Sequence, residues 1–525
     1  MKRKLGAQLS HMLRDRGVDV IFGIPGVHNQ EMYRGIEEAG ITHVLARHEQ
    51  GAGFMADGYA RASGKPGVAY VITGPGLTNI MTPIGQAYSD SVPMLVLSSC
   101  LDETAARRGQ LHQMKDQRGA GACVADWSEQ ANTAEAAYGL VERAFEEFQT
   151  LRPRPKHIQV PIAQLESEAD APPFPNMPAE RVKSSKPDVQ PLLSLLQIAQ
   201  RPLFILGGGA QAVYWRDVLM PLGVATMTTY AGRGAMGLDA PLDFGACLAR
   251  PGSTDVIASA DLVVAIGTEL AEVDLWRDAL GHSATLVRVD LDPEILSDAQ
   301  RATVKIQADA DSFARAFWEE TRDWSSKTGW SEEEVADARA RWRGEVEAER
   351  PGIVAICDAL REVVRTDAMV FSDMTQFAYV AKEVWDMARP GLWHHPTGFG
   401  TLGYALPAAI GGAVARAGKP TMAIIGDYGF HYTMQELGVA VELGLPLPIL
   451  LWDNGKLKEI EDSMTRAQIA PNAVVARNPD FCKLAEAFGA ASARPADLVA
   501  LREAVAEAFQ AKGPTLIHVT PDILS

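Results

Sequence analysis

The sequence predicts an α/β protein made of three doubly wound parallel-sheet domains, and three stretches carry that prediction. Residues 1 to about 167 alternate apolar strands with helices and close on His157-Ile158-Gln159-Val160-Pro161-Ile162. A second α/β unit opens with Arg201-Pro202-Leu203-Phe204-Ile205-Leu206 running into Gly207-Gly208-Gly209, and includes apolar strands over Leu262–Ile266 and Thr285–Leu291. In the third, Thr421-Met422-Ala423-Ile424-Ile425 reads as a buried strand, Tyr432–Leu443 has helical apolar spacing, and Leu445–Leu451 reads as the next strand.

Taken in order, the domains are expected at 1–167, 186–325 and 345–525. A proline-rich linker, Ala171–Pro178, separates the first two, and a charged helical stretch, Trp330–Arg350, leads through Pro351 into the third. A chain of 525 residues suits about three domains. With 47% hydrophobic and 22% charged residues it has a soluble globular balance, and its net charge of −17 argues against nucleic-acid or anionic-membrane partners. Five scattered cysteines show neither metal nor disulfide spacing. The basic start Met1-Lys2-Arg3-Lys4 is followed by Gln8, His11 and Arg14, which interrupt any apolar signal core, and no membrane span is legible. A cytoplasmic location is therefore expected.

The chemistry concentrates where strands end. Gly426-Asp427-Tyr428-Gly429 follows one strand and Trp452-Asp453-Asn454-Gly455 the next. In a parallel sheet both segments lie at the carboxyl edge, where ligands bind. A carboxylate and an amide oxygen are hard ligands suited to Mg²⁺ shared with phosphate oxygens, and the glycines let backbone N–H groups turn toward a phosphate. Taken alone, the pair also reads as an ordinary βαβ turn with two capping side chains.

Together, the pair resembles the diphosphate-binding signature of thiamine-diphosphate enzymes, GDG followed by NN, with Tyr428 in place of a glycine and Asp453 in place of an asparagine. A φ > 0 turn would disfavour Tyr428, leaving Gly429 to make the close approach. His48-Glu49-Gln50-Gly51-Ala52-Gly53-Phe54-Met55-Ala56-Asp57-Gly58-Tyr59-Ala60-Arg61 is similar to the family's HE…ADGYAR segment. Gly398-Phe399-Gly400-Thr401-Leu402-Gly403, running into Leu406-Pro407-Ala408-Ala409-Ile410-Gly411, is similar to its third conserved loop and helix.

The resemblance covers the whole chain. It implies pyrimidine-binding, central and diphosphate-binding domains of the decarboxylase and acetolactate-synthase branch, with thiamine diphosphate and Mg²⁺ as cofactors. Glu49 would act on the pyrimidine ring. Gly400, Leu402, Thr375, Gln376, Asp427, Tyr428, Gly429 and Asn454 would hold the cofactor. Asp427, Asn454 and the carbonyl of Lys456 would hold the metal. FAD is doubtful, because Asp243–Asp255 shows no match to the flavin-contacting segment. Cofactor sites of this branch lie between subunits, which implies a homodimer, packed as a homotetramer.

Two reactions stay open: non-oxidative decarboxylation of a 2-oxo acid, and acetolactate-type carboligation. A third reading, a non-catalytic relic, is disfavoured because Glu49 and Asp427 are both present. Val27 stands where pyruvate decarboxylases carry an acid/base aspartate. His112 and Gln113 are candidates for proton delivery and substrate contact, a solvated histidine on a surface helix being the other reading. His28, Glu459 and Ile460 are candidates for lining the substrate pocket. Glu459 is acidic where decarboxylases of apolar oxo acids are usually apolar, so a cationic substrate tail is expected, as in the 2-ketoarginine decarboxylases this pattern resembles. Glu269, Glu272 and Asp274 are candidates for the same cleft, with a solvated acidic surface as the alternative.

Overall fold

The computed structural model describes residues 1–102, 109–173, 186–326 and 329–524, so the linker Ala171–Pro178 lies outside the described residues from Phe174 onward. Three parallel sheets account for the architecture. The first contains β1 (Val20–Gly23), β2 (Thr42–Leu45), β3 (Gly67–Val71), β4 (Met94–Cys100), β5 (Trp127–Gln130) and β6 (Lys156–Pro161) in the order β2-β1-β3-β4-β6-β5. The central sheet holds β7 (Pro202–Leu206), β8 (Ala225–Thr228), β9 (Leu262–Ile266), β10 (Thr285–Asp290) and β11 (Val304–Gln307), ordered β8-β7-β9-β10-β11. The third holds β12 (Met369–Ser372), β13 (Trp393–His394), β14 (Thr421–Gly426), β15 (Pro448–Trp452), β16 (Ala491–Ala493) and β17 (Thr515–Val519), ordered β13-β12-β14-β15-β17-β16. The first and third sheets thus share one strand order. In each, the order reverses beside the first strand, and that switch point opens the crevice where ligands of such sheets bind.

Central strands are continuous apolar runs because helices cover both faces. β3, β9, β14 and β15 are buried along their full lengths. The helix expected over Tyr432–Leu443 is broken in three: a helix Asp427–Thr433, a 3-10 turn Met434–Glu436 and a helix Leu437–Glu442. The break falls where Thr433 leaves helical geometry (φ −138°, ψ 16°) and donates its hydroxyl to the Gly403 carbonyl at 2.8 Å.

The first and third domains share one core. The helix Glu49–Ser63 lies along the helix Ala405–Ala415 so closely that a Cβ on Gly58 would sit 2.0 Å from the Ala408 carbonyl oxygen, and one on Gly411 would sit 1.9 Å from that of Met55. At one end of the pair Arg61 bridges Asp57 and Asp90, its guanidinium 5.6 Å from the Tyr404 ring centroid, and Asp90 accepts the Gly398 N–H at 2.9 Å.

The predicted charged helix is Glu332–Glu349, capped by Ser331 and acidic through its first turn, as the helix dipole favours. Val335, Ala338 and Trp342 pack into the central core and Val346 into the core of the third domain. One helix therefore joins two domains and delivers Arg350 to the edge of the third. No helix among the described residues is long and apolar enough to cross a membrane.

Candidate active site

The carboxyl edge of the third sheet gathers the expected cofactor residues. β14 ends at Gly426, whose extended backbone (φ −83°, ψ 164°) lets Asp427 open a helix. The Asp427 carboxylate is buried, and its Oδ2 accepts the Asn478 amide at 2.8 Å. The same amide also donates to Asp453 Oδ1 at 2.8 Å. Burial pushes the Asp427 carboxyl up, helped by the charge of Asp453, while bonds from Asn478 and the Tyr428 N–H pull it down. Two carboxylates sharing one amide make a place where a divalent cation would offset concentrated negative charge. Tyr428 adopts ordinary negative-φ backbone inside the helix, so the tyrosine is compatible with this turn.

Asp453, which departs from the family pattern, has partners of its own. It faces His518 Nε2 at 2.8 Å, and His518 Nδ1 accepts from Arg494 Nε at 3.1 Å. That acceptance assigns the proton to Nε2, which donates to Asp453. Burial raises the Asp453 carboxyl, but the bonds from His518 and Asn478 prevail and its net shift is downward.

Asn454 belongs to a second chain of bonds. Its amide donates to Gln376 Oε1 at 3.0 Å, and Gln376 Nε2 donates to Glu459 Oε1 at 3.0 Å. Glu459 then receives Arg350 as a two-pronged pair, Nε to Oε1 and Nη2 to Oε2, both at 3.0 Å. The expectation of a buried Glu459 awaiting a partner is thus modified. Its side chain is 31% exposed and already holds a guanidinium of its own chain. Ile460 beside it is exposed, on a helix Lys458–Arg466 that buries none of its residues. The Lys456 N–H donates to Asn454 Oδ1 at 3.2 Å, and its ammonium pairs with Glu461.

The flanking loops are shaped for close approach. Gly400 and Gly403 both adopt positive φ, +66° and +84°. A Cβ on Gly426 would meet Thr375 Oγ1 at 3.0 Å, and one on Gly429 would meet Asp373 Oδ2 at 2.7 Å. Leu402 is half-buried in the loop between. Asp373, missed in the sequence, organises it: buried and pushed up to about 7 by burial, it accepts the N–H groups of Met374 and Gly403.

The edge of the first domain carries the other candidates. His48 caps the helix that Glu49 opens, its Nδ1 accepting the Gln50 N–H. Glu49 is nearly buried, and its Oε2 accepts Asn79 Nδ2 at 2.9 Å. His28 and His112 meet edge to face with ring centroids 5.0 Å apart. Both Nδ1 atoms are buried without a hydrogen-bond partner among the described residues. Burial, with His112 alongside, holds His28 below the usual imidazole range. His112 sits in a left-handed turn (φ +63°), not on a surface helix, with its carbonyl oxygen 2.4 Å from where a Cβ on Gly74 would stand. Gln113 belongs to the same turn, its Oε1 accepting the Gln110 N–H. Glu269 is engaged elsewhere, paired with Arg152 and Arg154.

The helix pair separates the two edges within one chain. Glu49 opens its helix and Arg61, over Tyr404, lies roughly twelve residues along it, which at 1.5 Å per residue is about 18 Å. What touches the start of the Glu49 helix is Glu436. This buried carboxylate accepts the Arg47 N–H at 3.0 Å, leaves no room for a Cβ on Gly51, and is pushed up to about 7 by burial. Glu436, Asn478, His518, Arg350 and Asp373 carried no motif of their own.

Three family models match in succession: the thiamine pyrophosphate enzyme N-terminal TPP binding domain over residues 3–120, the central domain over 189–317 and the C-terminal TPP binding domain over 373–519. The chain belongs to the thiamine pyrophosphate enzyme family. It is 42% identical over 530 residues to a probable 2-ketoarginine decarboxylase of Pseudomonas aeruginosa, covering 98% of this chain and 93% of that protein. It is 28% identical to the acetolactate synthase isozyme 2 large subunit of Escherichia coli over 99% of this chain and 96% of that one. The acetolactate synthase large subunit of Haemophilus influenzae is also 28% identical, over 98% and 93%.

Proposed function

We propose that the protein catalyses the thiamine-diphosphate-dependent, non-oxidative decarboxylation of a 2-oxo acid with a cationic tail, 2-ketoarginine first among candidates, to an aldehyde and CO₂. The observation that carries this reading is Glu459. It is a carboxylate two hydrogen bonds from Asn454 that accepts a guanidinium through both oxygens. The 42% identity to a protein named for that substrate supports it.

Asp427 and Asn454, with the Lys456 carbonyl, would hold Mg²⁺ against the diphosphate, and the N–H groups around Gly429 would face its oxygens. Thr375, Gln376, Gly400 and Leu402 border the same crevice. When bound, thiamine diphosphate supplies a nucleophilic carbon and an electron sink. Asn79 occupies one Glu49 oxygen, so the other is the one to exchange a proton with the pyrimidine ring. His28, whose imidazole burial holds below its usual range, and His112 would serve proton transfer at the reacting carbons, and Gln113 would offer a polar contact to the substrate carboxylate or carbonyl. The separation of about 18 Å between Glu49 and the Tyr404 end of its helix pair supports a homodimer, in which a second copy supplies the other edge.

Release of CO₂ from a panel of 2-oxo acids, with products identified, tests the reading. 2-Ketoarginine should be turned over far better than pyruvate, giving the aldehyde. Preference for pyruvate with acetolactate accumulating would replace it with the carboligase reading.

A further inference from the structure

We infer that Arg350 is an internal competitor, occupying the guanidinium place on Glu459 until a guanidinium-tailed 2-oxo acid takes that place by exchange. The inference rests on the reading just given, that Glu459 faces the substrate tail. Its basis is the way the two partners are anchored. Glu459 is held from the cofactor side, since Gln376 fixes Oε1 and Asn454 fixes Gln376. The carboxylate therefore keeps its position when Arg350 leaves.

Arg350 is anchored differently. It is the residue just past the helix Glu332–Glu349, off helical geometry (φ −140°, ψ 73°), with Pro351 next. Its Nη1 also donates to Glu349 Oε2 at 3.1 Å, and its guanidinium lies 5.7 Å from the Tyr379 ring centroid. A carboxylate and an aromatic face are thus in reach when it gives up Glu459. Arg250 and Tyr230 engage Glu383, Arg250 also engages Glu349, and Lys382 lies 5.1 Å from the same Tyr379 ring. With side chains 19% and 31% exposed, the pair is open to water on one side and able to exchange.

The chemistry of exchange decides which substrate tails can compete with Arg350. A guanidinium replaces a guanidinium with both bonds and the charge balance restored. An ammonium tail offers a point charge and no matching fork. A neutral or apolar tail offers nothing to displace Arg350, so the ion pair stands. The apparent affinity for the guanidinium substrate is lowered by the fraction of Glu459 that is free, and removing Arg350 lifts that reduction.

The test compares wild-type and Arg350→Met holoenzyme on 2-ketoarginine and on its uncharged ureido analogue, taking the ratio of the two KM values so that general damage cancels. The ratio of 2-ketoarginine to analogue should fall roughly two- to fivefold in Arg350→Met, the range for releasing a partly exposed, well-formed ion pair. An unchanged or rising ratio overturns the inference. Calorimetric titration of methylguanidine supplies a readout independent of turnover. It should bind Arg350→Ala and fail to bind Arg350→Ala/Glu459→Gln, and absence of binding to the single variant counts against exchange. If wild type does not turn over 2-ketoarginine while methylguanidine binds through Glu459, the substrate assignment falls and the exchange site stands. If 2-ketoarginine is turned over but the KM ratio does not move, the assignment stands and exchange falls.

Discussion

Tyr404 of the third domain donates its hydroxyl to Asp57 of the first at 2.6 Å, inside a buried network completed by Arg61 and Asp90. Burial raises the Asp90 carboxyl and the Arg61 pairing only partly offsets it, so the network is a costly arrangement held in place by the fold. The ADGYAR part of the segment therefore fastens two domains together, while Glu49 at its start is left to the proposed chemistry.

The fit of those domains gives the first prediction. Gly58→Ala would drive a Cβ against the Ala408 carbonyl, at a cost of roughly 1–3 kcal/mol for an overpacked contact. Alanine's better helix propensity returns about 1 kcal/mol of that. A lower Tm is expected in calorimetry of the variant, and a Tm at or above that of the parent protein would show that the helices yield freely.

Glu49→Gln keeps an oxygen for Asn79 but removes the ionisable proton carrier. Turnover should fall by about 10²–10⁴, with a smaller change in cofactor affinity. Near-normal steady-state rates would rule out Glu49 as the proton carrier.

Asp427→Ala removes one of two carboxylates that share Asn478 and, with it, the strongest candidate metal ligand. Mg²⁺-dependent retention of thiamine diphosphate should be lost, as read by calorimetry with and without chelator. Unchanged affinity in excess Mg²⁺ would transfer the ligand role to another residue.

His157 gives a prediction in pH. Its ring is clasped between Ser98 and Ser128, and burial pushes it down to about 3. The unfolded chain therefore takes up this proton near pH 6.5 and the folded protein does not. The stability tied to His157 is complete above pH 6.5 and is lost progressively as pH falls toward 3, by a few kcal/mol in all. Buried acids such as Asp243, pushed up to about 6, slope the other way, so the informative quantity is the difference between wild type and His157→Asn. Denaturant unfolding from pH 7 to 4 should show wild type losing more stability than the variant, and parallel curves would contradict the assignment.

Much of the fold was legible because its signals are local. β14 and β15 are apolar runs bounded by Gly426 and Asp453, and Glu49, Asp427 and Asn454 sit in motifs a few residues long. What the sequence hid is long-range. Arg350 meets Glu459, Asn478 meets Asp427, and His518 meets Asp453 only after the chain has folded, and no periodicity marks such partners. The helix break at Thr433 was hidden for the same reason, since the Gly403 carbonyl that its hydroxyl seeks comes from another loop. Tyr428 was misjudged in a different way: the glycine it replaces suggested a left-handed turn that the helix starting at Asp427 does not require.

The matching strand orders and the reciprocal notches of Gly58 against Ala408 and Gly411 against Met55 belong to one arrangement. The two helices follow the second strand of their respective sheets and run antiparallel, each lending the other a glycine. That is the geometry of an isologous contact between two copies of a subunit, here folded into a single polypeptide. The first and third domains are in effect an internal dimer with different side chains at their edges, Glu49 on one and Asp427 on the other. Its pseudo-symmetry makes the contact between the two domains intolerant of added volume from either side.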